Sequence, residues 1–476
     1  MASPVTLIAA LVAAIAVILF CIIVLKLNAA IGMVVACILM GLAGGLDLLT
    51  TATTISSGFG SMMTSIGLPV GFGTILGQLM SDSGAASVIA DKLVAAFPEK
   101  RAIWGLSLAG FILSVPVFFD VTFIILIPIG ITIASKINMK MCYVTGCLTI
   151  GATTAHCVVP PTPNPLAAAD IFGFDLGIML IVGLVVGFIT VLVSDFLFIK
   201  IHDMGIWNEA KDVNHSSNVT AELVSARNSQ PSGKKQPSLF ISLLPIIIPV
   251  VCILFGTLGS AMFEEAPVIC SFLGDKLIAM LLGTLGAYLV SLPYIGRDHL
   301  EESAGEALKS AGVVLLITGA GGSFASVITA TGIGDAIVGL LGTDTTSVVP
   351  AMFLAYIIGM IFRVAQGSGT VAGMTSMGIM ATIAPAVGCH PVWIALACLS
   401  GGNSIGHIND SGFWVATNMS GLTITGGLKT VYPGFVPLVP VHLRAGADRR
   451  PRDPAVRSLP RKRGKEYMYH AKRNDR

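Results

Sequence analysis

The sequence predicts an all-α polytopic membrane protein with two inverted repeats and broken or re-entrant helices, in about 12–14 membrane segments. Three observations predict it. Hydrophobic residues make up 54% of the 476-residue chain and charged residues only 11%, with a mean hydropathy of +0.85, far from the composition of soluble globular domains. Gly71-Phe72-Gly73 reappears 248 residues later as Gly319-Ala320-Gly321, and Ser83-Gly84 as Thr331-Gly332. The apolar runs, thirdly, are interrupted by glycine, proline and polar residues at corresponding places in the two copies.

The repeat continues in register. Ile89 matches Ile337, Leu93 matches Leu341, Thr122 matches Thr370, and Gly130-Ile131 matches Gly378-Ile379. After a three-residue slip, the block Gly151 to His156 meets the block Gly402 to His407. Solenoids repeat at roughly 20–50 residues, so a period this long is a duplicated half. Duplicated halves with interrupted membrane helices are the build of carriers for small solutes.

Taken in chain order, mostly apolar runs fall near 4–25, 28–46, 102–119, 121–135, 141–159, 176–199, 239–260, 267–292, 311–330, 347–365, 370–387 and 391–406. Each is close to the length that crosses a bilayer. The segments 59–80 and 408–428 read as further spans or re-entrant hairpins. The first run lacks basic residues ahead of it and a small-residue cleavage site, so it is expected to be a retained span. Residues 1–201 form the first membrane repeat and 239–430 the second. Between them, 202–238 is rich in Ser, Asn, Lys and Pro and is expected to be a mobile cytoplasmic linker. Arg297 to Ser310 is expected as an amphipathic surface helix, and 431–476 as a basic, disordered tail of unusual composition. Three prolines (Pro433, Pro437, Pro440) break its only apolar stretch, where repeat symmetry calls for a span, so the reading is an altered terminus.

Net charge is +2, but residues from Arg444 onward hold 12 of the 28 Lys and Arg and four of the 26 acids. The remainder is slightly acidic, which removes any argument for a nucleic-acid partner. Loops holding Lys26, Lys92 to Arg101, Lys136 to Lys140, the linker, and Arg297 to Lys309 are assigned to the cytoplasm by the Lys and Arg bias, with the N-terminus outside. The loops between them hold Asp47, Asp170, Asp175, Glu264 and Glu265. Positions 248 residues beyond two of the basic loops carry no Lys or Arg, as oppositely inserted copies require. The nine cysteines form no CxxC pair, and no cofactor or metal motif is present in the sequence.

Chemistry is expected where the spans break. Val115 to Thr122, with Pro116 and Asp120, is the counterpart of Arg363 to Thr370, with Gln366 and Ser368. Proline removes an amide donor and glycine loosens the helix. The freed backbone groups are tolerated in a membrane only around a polar cavity, and half-helix N-termini there attract a carboxylate. The second pair is His156 to Pro165, with prolines at 160, 161, 163 and 165, and His407 to Trp414, with Asn409 and Asp410. Thr153, Thr154, Asn403 and Ser404 precede the histidines and offer hydroxyl and amide groups to a polyhydroxylated ligand. Intramembrane ions cost about 2.5–3.5 kcal/mol on insertion scales, so each needs a reason. Asp120 is the candidate proton carrier, or else the ion-pair partner of Arg363, and Arg363 is alternatively the counter-charge to a carboxylate substrate. Asp410 is a proton or substrate-hydroxyl partner, while His156 and His407 either titrate or bond the backbone. Asp195 reads as an interfacial residue near Lys200.

The runs VPVFFDVTFIILIP, HCVVPPTPNPLAAADIFGFDLG, GAGGSF, RVAQGSGTVAG and HINDSGFW, the last followed by TGGLKT, resemble the gluconate permease family. That family also contains permeases for related sugar acids and for D-serine. The resemblance covers about 4–430 and departs at the tail. It implies an inner-membrane proton symporter for gluconate-like anions, with substrate and coupling around Asp120, Thr122, His156, Gln366, Ser368, Thr370, Asn403, His407, Asn409 and Asp410. The implied partners are a small organic acid, a coupling proton and the lipid bilayer, with a homodimer left open. A D-serine or other organic-anion symporter, a sodium-coupled version, a passive channel and a membrane-embedded enzyme are the alternatives. No HExxH or nucleophile-elbow motif surrounds the acids to favour the enzyme.

Overall fold

The computed structural model describes residues 3–228, 236–263, 266–333, 348–366, 368–406 and 410–435. Apart from one isolated bridge between Val213 and Leu422, the described residues are helices and their connections. Six helices are long and apolar enough to cross a membrane, and five shorter apolar helices accompany them among the described residues.

Helices α1 (Pro4–Ile23) and α2 (Ala29–Ala43) pack as an antiparallel pair. Next, α3 (Leu48–Met62) and α4 (Leu68–Asp82) run as one rod through a π-turn at Met63–Gly67, so the expected 59–80 segment belongs to a 35-residue helix. α5 (Ala85–Ala95) leads to α6 (Ala102–Leu113), and the chain breaks before α7 (Phe119–Ile137). α8 (Met141–Val158) is followed by a second break and α9 (Pro163–Phe172), then α10 (Leu176–Ile201). Two short helices, α11 (Glu209–Asp212) and α12 (Val219–Asn228), precede α13 (Leu239–Met262) and α14 (Val268–Gly274). The long α15 (Lys276–Ala330) bends at Gly296, whose φ of 77° is open to glycine and strained for other residues. α16 (Val348–Gln366), α17 (Gly369–Met380), α18 (Pro391–Gly402), α19 (Ser411–Met419) and α20 (Ile424–Phe435) complete the described chain.

Helix starts explain two of the acids in the loops assigned to the outside, and one further aspartate. Asp47, Asp175 and Asp275 each cap a helix N-terminus, accepting from Thr50, Gly177 and Leu277 backbone N–H groups at 2.9, 2.8 and 2.9 Å. A carboxylate there satisfies an orphan donor and meets the positive end of the helix dipole. Lys276, expected inside a span, instead begins α15 and reaches Ser65 in the π-turn at 2.5 Å and Asp170 at 3.3 Å.

The main apolar core lies among α4 to α10, α15 and α18; a second one joins α1 and α2 to the end of α15 and to α17. Outside the cores, α10 and α13 present Phe188, Phe196, Val251 and Phe255 to the surroundings. That is the apolar wall a bilayer requires.

Two expectations change. Arg297 to Ser310 is not a separate surface helix: after the bend at Gly296 it runs without interruption into 311–330. The first part of the expected mobile linker is folded against the end of the chain. Trp207 is buried with Cys142 and Leu422, and the Thr423 N–H donates to the Asp212 carbonyl at 2.9 Å. Lys429 on α20 donates to both oxygens of the fully buried Asp212 at 2.8 and 3.0 Å. Its apolar residues and this ion pair outweigh the polar composition that suggested mobility. Lys429→Met is expected to lower stability by about 1–3 kcal/mol, because the buried Asp212 carboxylate loses a partner that is itself partly exposed. Unfolding of detergent-solubilised protein measures the loss, and Asp212→Asn added to Lys429→Met should recover part of it.

Candidate functional site

Helices of nine to twelve residues rise about 14–18 Å, half of a hydrocarbon core of about 30 Å. α6, α9, α17, α18 and α19 are such half-length helices. Their breaks fall where the sequence places proline and polar residues. In the first half, α6 stops at Leu113 and Asp120 occupies the first turn of α7. α8 stops at Val158, and Thr162 precedes Pro163 at the start of α9, across a cis Pro160-Pro161 bond. In the second half, Ser368 caps α17 and Asp410 caps α19, the latter accepting from the Gly412 N–H at 2.9 Å. The order helix–break–helix–helix–break–helix therefore occurs twice.

Packing repeats as well. A Cβ on Gly151 would lie 2.0 Å from the Ser107 carbonyl oxygen, and one on Gly401 would lie 2.1 Å from the Tyr356 carbonyl oxygen. Gly110 approaches Leu148 and Ala152 as Gly359 approaches Cys398 and Gly402. α6 crosses α8, and α16 crosses α18, on glycines that let the backbones touch.

The four breaks meet. Arg363 at the end of α16 forms a buried ion pair with Asp410, the side chains 4% and 10% exposed. Asn403 donates to the Thr153 carbonyl at 3.4 Å, joining the end of α18 to α8. Phe118 stacks obliquely on His156, centroids 5.3 Å apart, and the Phe119 ring lies against Gly412. The Cys157 thiol donates to the Leu399 carbonyl at 3.2 Å. Asp120, half-buried, is close enough to Asp410 for the two carboxylates to interact electrostatically. The partner of Arg363 is thus Asp410, correcting the alternative that paired it with Asp120. Among the described residues Asp120 has no ion pair.

Several candidate donors are occupied. Thr153 and Thr154 donate to the Thr149 and Ile150 carbonyls of their own helix, both at 2.6 Å, and Ser404 donates to Gly401 at 2.6 Å. Their hydroxyl protons are used within the fold, so what they can offer a polyhydroxylated ligand is the acceptor side of the hydroxyl. Thr122 is fully buried, and neither its hydroxyl nor His156 Nδ1 has a partner among the described residues. Ser368 and Thr370 are half-buried at the second break, where Gln366 ends α16. His407 and Asn409 lie outside the described residues, as does 436–476 of the expected basic tail.

Two groups were missed. Asn164, in the first turn of α9, is 4% exposed with an unpartnered Oδ1, and it lies against Gly373 on α17. An asparagine between two prolines in an apolar run was the available signal. Asp195, expected at an interface, is 1% exposed among α6, α8 and α10. Beside the first-half breaks, Pro116, Phe118 and Pro161 to Pro163 border a narrow cleft against Val70, Gly73 and Thr74 of α4.

Residues 5–433 match the model of the GntP family permeases. An uncharacterized permease of Haemophilus influenzae is 32% identical over 425 residues, covering 87% of this chain and 85% of its own. A gluconate permease of Pseudomonas aeruginosa is 29% identical over 415 residues, covering 85% and 89%. Among solved structures, the antimetabolite efflux pump MtrF of Neisseria gonorrhoeae shares the fold at a TM-score of 0.63 with 13% identity, covering 88% of this chain and 94% of MtrF. With its broken helices meeting at one polar centre and the family match running over nearly all of the described residues, this chain is a member of the GntP permease family, a multi-pass membrane transporter.

Proposed function

We propose that the protein imports gluconate or a similar sugar acid across the inner membrane together with a proton. The observation that carries this reading is the meeting of four helix breaks around the buried Arg363–Asp410 pair with Asp120 beside it. A hydroxy-carboxylate needs positive potential for its carboxylate and acceptors for its hydroxyls. Arg363 and the amides at the starts of α7, α17 and α19 supply the first. Asp410, Thr153, Thr154 and Asn164 Oδ1 supply the second. The P. aeruginosa relative's name, gluconate permease, supports the same substrate class.

Asp120 has no ion pair among the described residues, so it is the carboxyl that can exchange a proton during the cycle, while Asp410 stays engaged by Arg363. Repeated packing in the two halves supports alternating access by movement of one part against another. The narrow cleft between the proline breaks and α4 is the seam such a movement would open. Inverted insertion of the halves belongs to this reading and follows from the loop charges.

Uptake of labelled gluconate into proteoliposomes tests it. An inward proton gradient should drive accumulation, and unlabelled D-serine should not compete. Asp120→Asn should abolish gradient-driven accumulation, a loss of at least tenfold, while gluconate exchange without a gradient persists. Accumulation by Asp120→Asn equal to the unmodified protein would remove Asp120 from the coupling step. D-serine competition would move the substrate to the amino-acid branch.

A further inference from the structure

α10 carries a second intramembrane acid that the substrate centre does not use. Asp195 is 1% exposed, and neither carboxyl oxygen has a hydrogen-bond partner among the described residues. Other buried hydroxyls on α10 and α6 share this shortage. Ser194 beside it and Thr190 one turn earlier are fully buried on α10, and Ser107 is fully buried on the facing α6; none of the three hydroxyls is partnered. The Ser107 hydroxyl and the Cys147 thiol of α8 are the groups that face the carboxyl at the edge of hydrogen-bonding reach. Natural interiors leave few polar atoms unsatisfied, so a buried carboxyl without a partner calls for a physical reason.

The surrounding charges narrow that reason. Arg101, across a groove of about 490 Å³ that has Trp104, Leu108, Phe188 and Leu192 as walls, is the cation facing this pocket. Of the other helices packed on α10, α8 presents the Cys147 thiol. α13 carries Cys252 and no charged residue, and Lys429 on α20 is held by Asp212. Nor does α9 contribute: its one charged residue, Asp170, is engaged by Lys276 and Ser65. A bare carboxylate without a partner is very costly in hydrocarbon, whereas a neutral acid is far less so. Yet the Ser107 hydroxyl and Arg101 across the groove can also receive the anion.

We propose that Asp195 is a second proton-binding carboxyl, separate from the substrate centre, which exchanges its proton with water through the groove at Arg101 and contributes one proton to the transport cycle. The bond made is between a carboxyl oxygen and a proton from water, and release returns that proton to the groove. Cys147 precedes His156 by nine residues on α8, about 13 Å along the helix, so the two centres are distinct. Only the contribution to the cycle rests on the proton-coupled reading above.

Infrared difference spectra of the full chain in lipid nanodiscs test the site directly. The expected result is a protonated-carboxyl C=O band that is lost in Asp195→Asn, shifted in frequency in Ser107→Ala, and titrated away as pH rises. A band that persists at every pH, or is absent at every pH, would overturn the proposal. So would loss of the band on adding sodium at fixed pH, which would mark a cation site. If Asp195→Asn does not fold, the Ser107→Ala shift identifies the band. In proteoliposomes Asp195→Asn should carry one proton fewer per solute, and an unchanged ratio would overturn the coupling. Failure of a proton gradient to drive the unmodified protein would refute proton symport while leaving the infrared result to decide Asp195.

Discussion

Replacing Arg363 by methionine is expected to abolish transport and to destabilise the protein by about 3–5 kcal/mol, the usual consequence of leaving a buried charge without its partner. Asp410 would be the stranded group, at 8% exposure and with one hydrogen bond, from the Gly412 N–H, as its other recorded support. Because Asp410 also caps α19, the loss should spread to the start of that helix. Arg363→Met with Asp410→Asn removes both charges and keeps a capping side chain, so stability should largely return. Uptake should not, since the positive potential at the centre is gone. Thermal unfolding in detergent and gluconate uptake read the two effects separately. Recovery of uptake in the double variant would show that the pair is structural and that the substrate carboxylate is held elsewhere. Lysine at 363 keeps the charge but not the planar fork, and it should recover stability more than transport.

The second large effect concerns the helix crossings. Gly151→Ala and Gly401→Ala each put a methyl group about 2 Å from a backbone carbonyl oxygen, that of Ser107 or of Tyr356. A carbonyl on a packed helix cannot turn aside as a flexible side chain can, so the helices must separate. Overpacking of this kind costs about 1–3 kcal/mol, and the movement would displace Asn403 from Thr153 or the Ser107 wall from Asp195. Both variants should lower the melting temperature by similar amounts, because the two crossings repeat one geometry. A loss confined to one of them would show that the halves no longer share this packing. Gly312, with nothing near the position of an added Cβ, is the control and should tolerate alanine.

Much of the architecture was legible because the membrane imposes a simple rule. Backbone polar groups must be paired, so apolar runs become helices, and prolines at 116, 160, 161 and 163 mark where they stop. The repeat was legible because each break must occur in both copies. Partner identity was not. Arg363 lies 47 residues from Asp410 and 243 from Asp120, and nothing local chooses between two such distant carboxylates. The donors of Thr153, Thr154 and Ser404 also escaped, since whether a hydroxyl turns to its own helix depends on rotamer and neighbours. The linker misled by composition. Its polar residues resemble a flexible segment, yet Trp207, Asp212 and Val213 find partners more than 200 residues away.

By itself, then, the sequence determined a helical membrane protein, its doubled plan, the positions of the breaks and the family. These follow from hydropathy, helix-breaking residues and motif blocks, all of which are local properties of the chain. Tertiary structure alone decided that Arg363 pairs with Asp410, leaving Asp120 outside that ion pair. It also decided that Asp195 is buried among three helices at the edge of a groove, and that Asp212 is locked to Lys429. Each of these depends on which helix faces come together, and a charge in low dielectric acts over distances that only the packed chain defines.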